Sequence, residues 1–136
     1  MICPFCLSDY TDVFNSRPSH SQSQVWRRRR CLECQNNFTT YERVDLKFIK
    51  INTKAYKKAK LYQSVLAAFE QSSGNLNQVD DVVDSIEMKI IRLPNSSVSS
   101  EDIINLVLNT LKSIDNRAFL YYLAKHAPNS EVRRIK

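Results

Sequence analysis

Cys3-Pro-Phe-Cys6 and Cys31-Leu-Glu-Cys34 are the two stretches that decide how the first part of this chain folds. Four thiolates meet the tetrahedral coordination of Zn²⁺, and each Cys-x-x-Cys turn supplies two of them. The 24 residues between the pairs suit a three-stranded ribbon with one loop. A thioredoxin-like redox pair is disfavoured because no βαβ pattern surrounds either turn. A catalytic zinc is disfavoured because four protein ligands leave no open position. We therefore expect Cys3, Cys6, Cys31 and Cys34 to hold one structural zinc ion.

The composition is that of a globular protein. The chain has 136 residues, of which 43% are hydrophobic and 25% charged, so it has room for one domain or for a very small domain joined to a compact one. No apolar run approaches about 18 residues, so no membrane span is expected. The N-terminus lacks the charged and apolar regions of a secretory signal, which predicts a cytoplasmic location. In that reducing compartment, paired cysteines bind metal more often than they form disulfides.

Strand patterns occupy the first part of the chain and helix patterns occupy the rest. Short runs bounded by turn residues predict strands, and from residue 61 onward the apolar period rises to about 3.6, which predicts helices. The predicted strands are 12–17, 24–30, 37–41 and 46–51. The predicted helices are 61–72, 79–90, 103–114 and one that begins near residue 115.

Cap and breaker residues mark the helix ends. Asn77 is the N-cap predicted for the second helix, and Pro94 closes that helix off. Ser99 and Asp102 have the spacing of a capping box at the start of the third helix. The fold class expected is α+β, with three segments. These are a four-cysteine zinc ribbon over 1–45, an α-rich domain with a short strand element at its start over 46–127, and a basic tail over 128–136.

Four consecutive arginines precede the second cysteine pair. On a strand their guanidinium groups alternate between the two faces, and planar cationic forks suit phosphate and guanine-edge recognition. A solvated charge run is the alternative, but a rigid metal-bound ribbon favours nucleic acid binding. The DNA-binding candidates are Arg17, Trp26, Arg27, Arg28, Arg29, Arg30 and Arg43.

The net charge of +6 is concentrated in the N-terminal half and at the junction, where residues 44–60 hold six lysines against Asp45. Such a positive field attracts a polyanion. The lysines suit nucleotide phosphates, the nucleic-acid backbone or the polar face of a helix start, and the residues alone leave these alternatives open. The segment contains no glycine, so it predicts no phosphate-cradling loop of the usual kind. The C-terminal helices contain no nucleophile–base pair, so we do not expect an enzyme.

Taken together, these motifs resemble those of the NrdR family of bacterial transcriptional repressors. The resemblance is very specific over residues 1–45 and recognisable again from residue 98 to residue 124. The matching stretches include the two cysteine turns, Ser16-Arg17, the arginine run, Phe38-Thr-Thr-Tyr-Glu-Arg43, Val98-Ser99-Ser100 and Leu111-Lys-Ser-Ile-Asp115.

The resemblance implies a repressor of ribonucleotide reductase genes that binds paired operator boxes on double-stranded DNA, in association with the nucleoid. It also implies a homo-oligomer whose state and DNA affinity respond to ATP or dATP bound to an ATP-cone. In this sequence the family's zinc ligands correspond to the four cysteines, and its arginine stretch corresponds to Arg27, Arg28 and Arg29. The nucleotide-binding candidates at the cone entrance are Lys50, Lys54, Tyr56 and Lys60.

The sequence departs from the family at several positions. Arg30 stands where the family usually has an acidic residue, and Trp26 stands in place of the first family arginine. At the cone entrance, the usual basic-Asp-Gly turn reads Ile51-Asn52-Thr53, and the stretch that follows is about two residues short. Two hypotheses follow: a repressor that senses nucleotides, or a zinc-stabilised DNA-binding or oligomerisation module whose cone no longer binds nucleotide.

Overall fold

The computed structural model describes residues 1–20, 22–94 and 97–126. These residues form two units, one spanning Met1–Val44 and the other beginning at Asp45. The strands of the first and the helices of the second confirm the predicted α+β class. The basic tail predicted over 128–136 lies outside the described residues.

The first unit is an antiparallel sheet of three strands in the order β1-β2-β3, which are β1 (Thr11–Pro18), β2 (Gln24–Cys31) and β3 (Asn37–Arg43). A bulge at Phe14 places two residues of β1, Val13 and Asn15, opposite consecutive residues of β2. The only buried side chains among the described residues of this unit are those of Cys3 and Cys31, so the unit has almost no hydrophobic core. These three strands confirm the three strands predicted for this part of the chain.

The second unit combines four helices with a small sheet. The strand predicted over 46–51 is mostly wrong, because Leu46–Phe48 forms a 3₁₀ turn capped by the Asp45 side chain and only two residues pair. The small sheet has the order β5-β4-β6, and β6 lies parallel to β4. Its strands are β4 (Lys50–Ile51), β5 (Lys54–Ala55) and β6 (Ser97–Val98). The helices are α1 (Lys58–Ser72), α2 (Val79–Ile91), α3 (Ser100–Ile114) and α4 (Asn116–His126).

One apolar core holds the helices together. Helix α1 packs against α2 and α4, and α3 packs against the same two helices. Burial of large aliphatic and aromatic side chains is the main stabilising contribution in such a core. The largest fully buried apolar side chains here are Val65, Phe69, Val79, Val82, Val83, Ile86, Ile90, Val107 and Leu111.

The cap observed at the start of α3 agrees with the sequence prediction, whereas the cap observed before α2 differs from it. The predicted capping box is present: the Asp102 backbone N–H donates to the Ser99 Oγ over 3.0 Å, and the Ser99 N–H donates to the Asp102 carboxylate over 2.9 Å. The Ser99 side chain also donates to this carboxylate and lowers the pKa of Asp102. The prediction of Asn77 as an N-cap is wrong. Asn75 instead caps a 3₁₀ turn, Leu76–Gln78, that leads directly into α2.

The turn between β4 and β5 has an unusual backbone. Ile51 pairs with Lys54, so the loop contains two residues, Asn52 at φ 55° and Thr53 at φ 134°. Such tight hairpin loops require positive φ, which glycine adopts freely and asparagine tolerates, whereas a β-branched residue is strained there. The Asn52 side chain compensates in part, because it donates to Ser100 Oγ over 2.6 Å and accepts from the Ser100 N–H.

We predict that Thr53→Gly stabilises the helical unit. Relief of the strain at a positive φ stabilises the folded state by on the order of 1–3 kcal/mol. The greater conformational freedom of glycine in the unfolded chain offsets roughly 0.5–1 kcal/mol of that gain. The free energy of unfolding should therefore rise by about 1 kcal/mol, measured from urea denaturation followed by the helical circular dichroism signal. Lys54→Gly, at the next position in β5, is the control and should be destabilising. An unchanged or lower free energy of unfolding in Thr53→Gly would show that Thr53 is not strained in this turn.

Candidate functional site

The four cysteines of the first unit form a metal centre. All four Sγ atoms lie within 4.8 Å of one another, with 3.7 Å between Cys3 and Cys34 and 3.5 Å between Cys6 and Cys31. Zn–S bonds of about 2.3 Å place the corners of a tetrahedron about 3.8 Å apart. The separations fit that tetrahedron, and they are far longer than a disulfide bond of about 2.05 Å. The cluster therefore holds a structural zinc ion.

Two equivalent turns position these thiols. In the first, the Leu7 N–H donates to the Cys3 carbonyl over 3.0 Å; in the second, the Gln35 N–H donates to the Cys31 carbonyl over 3.1 Å. Leu7 and Gln35 both have positive φ, at 63° and 61°. Each turn thus closes at the residue after its second cysteine. This closure brings both sulfurs of the pair to the same side of the turn.

The protonation of the thiols depends on their neighbours. A backbone hydrogen bond from Asn36 is the main cause that lowers the pKa of Cys34 to about 7. For Cys6, a backbone hydrogen bond from Ser8 lowers the pKa, but burial and the neighbouring thiols outweigh it and raise the value to about 12. Opposite shifts are expected where several thiols share one small volume, because they cannot all ionise without a cation. Zinc supplies that positive charge.

One face of the ribbon sheet is open and cationic; we call it the arginine face. It carries alternate residues of β2, namely Trp26, Arg28 and Arg30, of which both arginines are exposed. Arg17 of β1 and Tyr41 of β3 lie directly opposite Trp26 on either side. Within the described part of the chain, the guanidinium groups of Arg17 and Arg28 have no hydrogen bond or ion pair, which leaves them available to a ligand.

Arg30 lies at the edge of the arginine face nearest the metal centre. Its guanidinium carbon lies 5.3 Å from the centroid of the Phe14 ring, and its Nε donates to Asn37 over 3.4 Å. The bulge in β1 is what brings Phe14 to this side of the sheet. This cation–π contact orients the guanidinium while leaving most of its donors unused.

The other two arginines of the run point to the opposite face and are used within the sheet. Arg27 donates twice to the Glu42 carboxylate, over 2.9 and 3.1 Å, and once to Ser16. Arg29 donates to Thr40 over 3.3 Å. Arg43 donates to Gln24 over 2.6 Å at the far end of the ribbon. The predicted DNA-binding residues therefore divide into an open group and an internally bonded group.

The helical unit contains a cavity of about 570 Å³, within the range of small-molecule sites. It lies among the β4–β5 hairpin, the first turns of α1, the start of α3 and the end of α4. Three exposed lysines line it, Lys54, Lys57 and Lys60. Helix α1 begins beside them with no acidic residue in its first turn and no side-chain cap on its N-terminus. Free N–H groups and three ammonium groups at one helix start form an anion-binding arrangement.

The structure brings together three of the four predicted nucleotide-binding residues. Lys54, Tyr56 and Lys60 line the cavity, whereas Lys50, on β4, is not among the lining residues. The sequence places Lys57 only among the junction lysines that suit phosphates or the nucleic-acid backbone, and it does not single out Ser64, Tyr122 or His126, which also line the cavity. Ser64 follows Lys60 by four residues on a predicted helix, and this spacing places both residues on one face. The sequence alone could therefore have indicated that Ser64 lies near the predicted nucleotide-binding residues. The α4 residues gave no signal, because their approach depends on the tertiary packing.

A buried network ties the cavity wall to α2. The Tyr56 hydroxyl donates to the Glu87 carboxylate over 2.9 Å, and burial, followed by the Glu87 charge, raises the pKa of Tyr56. The Lys58 ammonium bridges Asp84 and Glu87, at 2.8 Å from each. Both carboxylates are nearly buried, so this lysine is structural and its charge is not available to a ligand.

Comparison with known proteins matches both units. A family model described as the N-terminal domain of transcriptional repressor NrdR-like proteins covers residues 1–42, and an ATP cone domain model covers residues 52–127. A transcriptional repressor NrdR of Petrotoga mobilis is 39% identical over 127 residues, which is 90% of this chain and 85% of that protein. Those of Lachnoclostridium phytofermentans and Nitrosomonas europaea are 34% and 33% identical over 137 residues. Each of these two alignments covers 97% of this chain; they cover 90% of the Lachnoclostridium phytofermentans protein and 86% of the Nitrosomonas europaea protein.

The fold and the metal centre define a zinc-ribbon transcriptional regulator with an ATP-cone. The chain belongs to the NrdR family of transcriptional repressors, a family of regulators and not of enzymes. The predicted family and its structural zinc are thereby confirmed. None of the helices that the structure describes is long and apolar enough to cross a membrane.

Proposed function

We propose that this protein binds paired operator boxes of ribonucleotide reductase genes as a homo-oligomer, and that ATP or dATP in the cone sets its oligomeric state and DNA affinity. The observation that carries the DNA-binding part is the arginine face, with two guanidinium groups that have no partner among the described residues. A rigid antiparallel ribbon is one of the elements that enter the major groove.

The arrangement of charge supports the same proposal. Arg17, Arg28 and Arg30 project from one side of a sheet that a zinc ion holds rigid, and Trp26 and Tyr41 lie beside Arg17 in the row of paired residues across that sheet. Planar guanidinium groups pair with guanine edges or with phosphates, whereas the aromatic rings supply apolar contact area. One ribbon covers only a short half-site, so stable and specific binding to paired boxes calls for more than one copy of the chain.

The cone cavity supports nucleotide binding. Its three lysines and the open N-terminus of α1 suit the phosphates, and the apolar side chains of Leu61, Ile103 and Ile104 suit a base and sugar. The alternative, a cone without nucleotide, is favoured by Thr53, because a β-branched residue with a positive φ stands where the resemblance predicts glycine. The cavity nonetheless keeps its volume beside that turn, and we therefore favour the nucleotide-sensing repressor.

The test combines calorimetry, light scattering and DNA binding on the zinc-loaded chain. We expect ATP and dATP to bind with measurable heat, to change the size of the assembly and to alter its affinity for a DNA fragment with paired boxes upstream of reductase genes. Binding should prefer that fragment over a scrambled one at moderate salt. Specific DNA binding without nucleotide heat or size change would establish the alternative. No preference for the paired boxes would overturn the repressor itself.

A further inference from the structure

The arginine face of the ribbon carries aromatic rings at both of its ends. At the end away from the metal centre, Trp26 lies between Arg17 and Tyr41, which pair with it across the sheet. At the end near the metal centre, the Arg30 guanidinium lies over the Phe14 ring. Tyr41 and Phe14 are 58% and 51% exposed, and Trp26 is half-buried. The face therefore offers flat apolar surfaces as well as positive charge.

The spacing of these two aromatic clusters fits a short stretch of nucleotide chain. Trp26 and Arg30 are four residues apart on β2, which is about 13 Å at about 3.3 Å per residue. Successive stacked nucleotides of one strand are about 3.4 Å apart, so about four of them span this distance. Arg28 lies midway between the clusters, and its guanidinium has no hydrogen bond or ion pair among the described residues. It is thus placed for the phosphates of such a stretch.

The charge of the arginine face complements a phosphate backbone. Its three arginines outnumber Asp12, the acidic residue that pairs with Arg30 across the sheet. Glu42 lies on the opposite face, where it is bonded to Arg27. A net positive face attracts a polyanion, whether that polyanion has one strand or two.

The aromatic rings distinguish a single strand from a duplex. Inside a duplex each base is covered by its neighbours, and the grooves present only base edges. The bases of a single strand can be splayed out and stacked on aromatic side chains or on guanidinium planes. Trp26 stands where the resemblance predicts an arginine, so this chain has a stacking surface at a position where a charge is expected.

We propose that the arginine face also binds single-stranded nucleic acid. The bases stack on Trp26, on Tyr41 and on the Phe14–Arg30 pair, and the phosphates contact Arg17 and Arg28. This is a second ligand for the ribbon, and it depends neither on nucleotide binding by the cone nor on the proposed operator. Stacking is available to every base, so binding should tolerate any sequence.

The test measures binding of labelled oligothymidylate and oligouridylate, each of about twelve nucleotides, to the full zinc-loaded chain by fluorescence anisotropy. Trp26 is the single tryptophan, and stacking of a base on its ring should quench its emission. Tyr41→Leu removes one ring without changing the charge and should weaken binding roughly fivefold to 150-fold. Phe48→Leu, which removes an exposed ring of the second unit, is the matched control and should leave the affinity unchanged.

Trp26→Arg separates stacking from charge. It removes a ring and adds a positive charge, so binding by stacking should weaken, whereas binding by charge alone should strengthen. The zinc content of each variant shows whether its ribbon is folded. Stronger binding by Trp26→Arg, or an unchanged affinity in Tyr41→Leu, would overturn the stacking assignment.

A duplex with the paired boxes, measured alongside, separates this inference from the proposed function. Binding of that duplex but of neither oligonucleotide would overturn single-strand binding and leave the repressor intact. Quenching and binding by either oligonucleotide would support the inference, and the tighter of the two would identify DNA or RNA as its ligand. Single-strand binding without any preference for the paired boxes would support the inference and overturn the proposed operator recognition.

Discussion

Cys31→Ser is expected to unfold the ribbon of residues 1–44 while leaving the helices of the second unit formed. The only buried side chains of the described ribbon are two of the cysteines, so hydrophobic burial contributes little to its stability. Structural zinc sites supply about 10–16 kcal/mol of binding free energy, which is also folding free energy where no site exists in the unfolded chain. Serine is a poor zinc ligand, and its hydroxyl stays protonated at neutral pH.

The single tryptophan makes this result easy to measure. Trp26 lies on β2, half-buried between Arg17 and Tyr41, so its fluorescence reports on the ribbon. The α-helices of the described chain all begin after residue 57, so the helical circular dichroism signal reports on the second unit. Cys31→Ser, or a strong chelator added to the unaltered protein, should shift the emission to that of an exposed indole and leave the helical signal unchanged. Glu33→Gln, an exposed position in the same turn, is the matched control. A native emission spectrum in the serine variant would show that zinc does not hold the ribbon.

The sequence predicts the ribbon better than the small sheet of the cone. Four thiols at fixed spacings leave few arrangements, and the runs of the three ribbon strands are long enough to show alternation. The cone's strands are two residues each, too short for any periodicity. β6 pairs with β4 across more than 40 residues of chain, so only tertiary contacts define it. The error at 46–51 has the same origin, because the Asp45 cap folds an apolar run into a 3₁₀ turn.

The candidate sites show the same division between local pattern and tertiary context. The alternation of the arginine run is readable from the sequence, but which face is open is not. That choice depends on Glu42 and Thr40 of β3, which bond Arg27 and Arg29. In the cone, six lysines in one segment look alike in the sequence. Packing against α2 turns Lys58 inward to two carboxylates, whereas Lys57 and Lys60 stay at the cavity.

The open face of the ribbon leads to a sharp prediction for DNA binding. Arg28→Ala should lower the affinity for a paired-box DNA fragment by about 1–3 kcal/mol, or roughly fivefold to 150-fold, if its guanidinium contacts a base edge. The ribbon should stay folded, because the Arg28 side chain is exposed and has no hydrogen bond or ion pair within the described residues. Fluorescence anisotropy of labelled DNA, with Trp26 emission as the check on folding, measures both.

Arg27→Ala is the control that distinguishes position from charge. It removes the same charge from the same strand, but its guanidinium is bonded to Glu42 and Ser16 on the opposite face. We therefore expect a smaller loss of specific affinity, together with a small loss of stability, since exposed ion pairs contribute about 0–1 kcal/mol. Salt titration completes the comparison: a base contact at Arg28 changes the preference for the paired boxes over scrambled DNA, whereas a phosphate contact lowers both affinities and reduces the salt slope by about one. Equal losses of specific affinity in the two variants would show that the DNA responds to the overall charge of the ribbon and not to one of its faces.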